Sequence, residues 1–135
     1  MKLNLFALIM MATTAPLAAH SVEAGSGDWT NIPWLAEPAH VRLSEKAMES
    51  IDNLVKAGKC DAIGDRRRIE LNMDFLAEFS PKSAVKRLIV GKIGCPEVEQ
   101  IVATAASQAA EKGWLKPTGE NEANWYRGRV TYSFK

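Results

Sequence analysis

Histidine and cysteine are scarce in this chain. Of its 135 residues only His20 and His40 are histidines, and only Cys60 and Cys95 are cysteines. A zinc centre wants about four such ligands, so the composition argues against a metal site. A nucleophilic thiol or hydroxyl would lack a dedicated histidine base. There is also no nucleophile elbow, no glycine-rich phosphate loop and no internal repeat. Charge of one sign is missing too. Seventeen basic and sixteen acidic residues leave a formal charge of +1, and Arg66-Arg67-Arg68 is the longest block of one sign. Such a balance gives no pull toward nucleic acid or an anionic membrane. These absences point away from an enzyme and from any small-molecule cofactor.

What is present begins with an export pattern. Lys2 precedes a nearly unbroken apolar run, Leu3 to Met11, which Thr13, Thr14 and Pro16 then end. The run is shorter than the roughly 20 residues of a spanning helix. Val22 and Ala24 suit the −3 and −1 positions of a cleavage site, and a second cut is available after Ala19. The pattern predicts a signal peptide over residues 1–24 and a periplasmic location, with an uncleaved inner-membrane anchor as the alternative.

Residues 25–42 form a lead segment rich in Gly and Pro. Its Trp29 and Trp34 are expected to pack back onto the domain that follows, residues 43–135. Helix signals come first. Ser44 is placed to cap, and Leu43, Ala47, Ile51, Leu54 and Val55 share one face up to residue 57. "RIELNMDF", starting at Arg68, alternates with period two, the mark of a half-buried strand. Its polar row, Glu70, Asn72 and Asp74, reads as solvated. "SPKS" at 80–83 turns the chain into a second strand over 84–93. Pro96 opens a second helix, with Glu97 and Glu99 near its positive end. Val98, Ile101, Val102, Ala105 and Ala109 line one side of it, and Gly113 ends it. "YRGRVTYSFK" closes the chain as a third strand, in which Gly128 suggests a bulge or an edge. The order helix-strand-strand-helix-strand predicts an α+β domain: a three-stranded antiparallel sheet with both helices on one face.

Cys95 sits at a helix mouth, where a thiol pKa falls and a nucleophile would be placed. The hairpin, however, brings Cys60 and Cys95 to the same end of the sheet. In an oxidising compartment such a pair is expected to be a disulfide.

Several stretches resemble the C-terminal domain of TonB-type energy transducers. "RIELNMDF" is similar to its first strand, "GCPEVEQIVATAA" to the opening of its second helix, "GWLKP" to its Trp-x-x-Pro signature and "GRVTYSF" to its closing strand. The related TolA C-terminal domain has a similar cysteine pair, which also implies pairing of Cys60 with Cys95. The resemblance implies that the last strand accepts an extended peptide by β-augmentation. The residues concerned are Tyr126, Arg127, Arg129, Val130, Tyr132 and Phe134. The expected function is a stand-alone periplasmic protein-interaction module, without catalysis, whose partner is a protein or peptide of the cell envelope. A homodimer formed through the same edge is a variant of this. A small disulfide-stapled inhibitor or neutralising protein is the alternative.

Overall fold

The computed structural model describes residues 20–119 and 124–135. The basic start and apolar run of the expected signal peptide lie outside the described residues. Seven elements follow: β1 (Ser21–Ala24), β2 (His40–Val41), α1 (Glu45–Lys56), β3 (Ile69–Phe79), β4 (Val85–Val90), α2 (Pro96–Glu111) and β5 (Trp125–Phe134). The sheet order is β1-β4-β3-β5-β2. β3 runs antiparallel to β4 and β5, whereas β1 and β2 add at the two edges in parallel.

This corrects the expected three-stranded antiparallel sheet. The class is α+β, but the sheet has five strands and is mixed. The two edge strands carry little pattern of their own. β1 lies inside the stretch that reads as signal peptide, and β2 is two residues long, beside Pro38.

The helices form where capping chemistry places them. Ser44 Oγ accepts the Ala47 N–H at 3.1 Å and starts α1. Gly58, at φ 73°, lets the chain leave it, with the Lys59 N–H donating to the Leu54 carbonyl at 2.9 Å. α2 lacks a side-chain cap at Cys95. Instead Glu99 reaches back, and its Oε2 accepts the N–H groups of Ile93, Gly94 and Cys95 at 2.7, 2.9 and 3.1 Å. Those three donors, chiefly Ile93, hold the Glu99 carboxyl below its ordinary value despite partial burial.

The core fills the space between helices and sheet. β3 presents Ile69, Leu71, Met73, Phe75, Ala77 and Phe79 to it, and α1 and α2 answer with Ile51, Val55, Val98, Val102 and Ala106. Gly128 is neither a bulge nor an edge. It pairs with Phe75 inside the sheet, and an added Cβ would run into the Phe75 ring and Leu35. Cys60 and Cys95 form a disulfide with a Cα–Cα distance of 5.7 Å. It ties the C-terminal end of α1 to the N-terminal end of α2. Closing a loop of this length contributes about 4 kcal/mol in the chain-entropy picture.

Candidate partner-binding edge

β5 was the strand singled out by the sequence, so its two edges decide what it can bind. One edge is fully engaged with β3, from Ile69↔Phe134 to Glu78↔Trp125. The other is half covered by the chain's own lead segment. Arg127 donates its N–H to the Pro33 carbonyl at 2.8 Å and accepts the Leu35 N–H at 2.9 Å. The Arg129 N–H donates to the Ala39 carbonyl at 3.0 Å, and β2 then pairs as His40↔Arg129 and Val41↔Val130. β5 is therefore an inner strand over its first half. Beyond Val130, its registered pairs are with β3 only.

The period of two sorts the named side chains. Tyr126 and Val130 are fully buried in the helix-facing core. The Tyr126 ring meets Phe79 edge-on at 5.8 Å between centroids. Tyr132 faces the same way, and its hydroxyl donates to Asp52 Oδ1 on α1 at 2.7 Å. Burial, with help from that bond, pushes the phenol up to about 12. Phe134, at the strand's end, is exposed. Of these four side chains Phe134 is the most exposed, and Tyr132 is half-buried.

Arg127 and Arg129 point to the opposite face, and they are not a free basic patch. Arg129 grips Asp74 through Nε–Oδ1 at 2.6 Å and Nη2–Oδ2 at 3.3 Å. The hydrogen bond to Asp74 raises the Arg129 pKa against the opposing effect of burial. Arg127 approaches the same carboxylate at 3.6 Å. Both guanidinium groups lie over the Trp34 ring, 4.1 and 5.3 Å from its centroid. The buried Arg127 Nε has no hydrogen-bond partner; its charge is met by the indole face instead.

Asp74 is thus a structural anion, not a solvated one. The polar face it belongs to is partly roofed, because the lead segment must cross from β1 at one edge to β2 at the other. Trp29 and Asp28 of that segment line a hollow of about 350 Å³ together with Asn72, Asp74, Arg127 and Arg129. Asp28 Oδ1 accepts both the N–H and the hydroxyl of Thr30, at 3.1 and 2.6 Å, and this bond pair holds its carboxyl below the ordinary value. Leu76, at 5% exposure on the same face, is sheltered from water. Trp125 and Arg87 make a third ring–cation contact there at 5.1 Å.

Nothing in the described residues gathers three or more metal-ligating side chains, and none of their helices is long and apolar enough to cross a membrane. Sequence reasoning missed the strand role of Pro33–Val41. Two prolines and the lack of alternation hid it, although Trp34 and Leu35 signalled a segment with something to bury. Compared with known proteins, the chain matches no family model, no curated protein and no solved structure.

Proposed function

We propose that this chain is an exported binding module that takes an extended peptide segment of an envelope protein along the second half of β5. One observation carries the reading. The same strand edge already holds two short extended pieces of its own chain, Pro33–Leu35 and Ala39–Val41, through backbone hydrogen bonds at Arg127 and Arg129. Backbone groups alternate sides along a strand, so Thr131 and Ser133 face the same way as Arg127 and Arg129. A peptide entering there would prolong the line of β2. A hollow of about 450 Å³ beside Thr131, Tyr132 and Ser133, bounded by Arg42 and Glu70, leaves room for its side chains. The motif resemblance to TonB-type domains supports the same mode of recognition, and the disulfide suits an oxidising compartment such as the periplasm.

The test is a display selection of extended peptides against the oxidised protein, followed by binding measurements on Ser133→Pro. Proline at an outward-facing edge position removes one donor and leaves the β3 ladder intact. We expect selected peptides to lose affinity by about tenfold, the worth of one backbone hydrogen bond, with an unchanged melting temperature. Peptides that bind Ser133→Pro as well as the parent protein would sink the proposal. Dimerisation abolished by the same substitution would assign the edge to a second copy.

A further inference from the structure

A concavity larger than either hollow beside β5 lies between the helices. The Cys60–Cys95 disulfide joins the C-terminal end of α1 to the N-terminal end of α2. Between their far ends runs a groove of about 930 Å³, within the range of small-molecule sites. Its lining is mainly apolar and includes Val41, Leu43, Ala47, Ile101, Ala105 and Leu115. The sequence placed Ala47, Ile101 and Ala105 on core-facing stripes, yet all three are only half-buried. These stripes are wider than what the core covers.

The mouth differs in charge. Arg42, Lys46, Lys112 and Lys116 line it, against a single acid, Glu37. Among the described residues none of these four cations forms a salt bridge. Lys112 instead lies 4.7 Å from the ring centre of Trp114, which is 62% exposed at the same rim. An apolar channel rimmed by cations that form no salt bridge among the described residues is complementary to one chemical form: an apolar tail carrying an anionic head.

We infer that the α1–α2 groove binds a free single-chain anionic amphiphile, a long-chain carboxylate. Its tail lies between the helices, pointing toward the disulfide, and its head meets Lys46, Lys112 and Lys116. The alkyl stems of the lysines extend the apolar wall while their ammonium groups stay at the rim. The groove meets the hollow beside β5 only at Arg42 and Leu43, and either assignment can fail without the other.

The experiment uses the oxidised protein and cis-parinaric acid, a fluorescent long-chain carboxylate, below its self-association concentration. Saturable binding at one site is expected. Laurate should displace the probe, and dodecanol, with the same chain and no charge, should do so about tenfold less well. Ala105→Trp should abolish binding by filling the groove. The combined change Lys46→Glu, Lys112→Glu and Lys116→Glu should weaken it about tenfold or more. Circular dichroism and melting of each variant show whether the fold persists, and the charge variants alter only surface positions. Absence of saturable binding would overturn the inference, as would equal displacement by laurate and dodecanol. A dimer that Ala105→Trp dissociates would give the groove to a second copy instead. Binding by a chain that starts at His20 but not by the full chain would assign it to the apolar run at residues 3–11.

Discussion

Glu99 shows how much one side chain can fix. Its carboxylate gathers three N–H groups from the loop that carries Cys95, and so serves as the cap that the cysteine itself cannot be. The depressed pKa makes a signed prediction. A carboxyl whose folded pKa lies below its unfolded one adds stability above the unfolded value, near 4.5, and loses that contribution as pH falls through the folded value. Glu99→Gln should therefore cost about 1 to 2 kcal/mol at pH 7, after a discount for partial exposure. The gap to the parent should close as pH drops well below 4.5. Urea titrations of both proteins at pH 7 and in acid check this; a gap that persists in acid would remove the carboxylate charge from the explanation. The sequence had marked Glu99 only as a partner of the helix dipole. Its longer reach needed the fold of residues 93–95, which no local pattern encodes.

At the scale of elements, legibility followed periodicity. α1, α2 and the alternating half of β3 stood out because each buries a face at regular spacing. The alternation in sequence ends at Phe75, because Leu76 breaks it, whereas β3 continues to Phe79. The structure explains Leu76: it sits on the polar face, in a patch sheltered from water. β2 and the Pro33–Leu35 bridge were invisible because their pairing is set by a partner far along the chain, and Pro33 and Pro38 mask any local preference. Leu35 is the anchor of this strap, at 2% exposure against Gly128. Leu35→Ala should destabilise the domain by about 2 to 4 kcal/mol. It should also release the strap first. The Arg127 and Arg129 amides, which donate to the Pro33 and Ala39 carbonyls, would then exchange with solvent faster than the Phe75-paired centre of the sheet. Amide exchange resolved by residue reads this directly, and equal acceleration throughout β3 and β5 would show that the strap is no separate unit.

For the whole molecule, the sheet's two edges set the limits of the folded unit. β1 closes the β4 side through four registered pairs, Ser21↔Arg87 to Ala24↔Val90. A Glu23–Arg87 ion pair at 3.4 Å and a 2.6 Å hydrogen bond between His20 and Ser107 of α2 accompany them. The exposed ion pair adds little; the larger effect is the covered edge, since an open strand of Val85–Val90 invites pairing with another chain. This bears on the two cleavage positions. A cut after Ala19 keeps β1, and a cut after Ala24 removes it. A chain beginning at His20 should melt like the longer one and stay monodisperse as its concentration rises. One beginning at Gly25 should melt earlier and associate with increasing concentration through β4. Thermal melts and analytical ultracentrifugation of the two chains separate these outcomes. Identical behaviour would mean that β1 is dispensable, as the expected cut after Ala24 requires. If the two differ as expected, an intact mass starting at His20 is the processed form to look for, because that chain keeps β1 on the β4 edge.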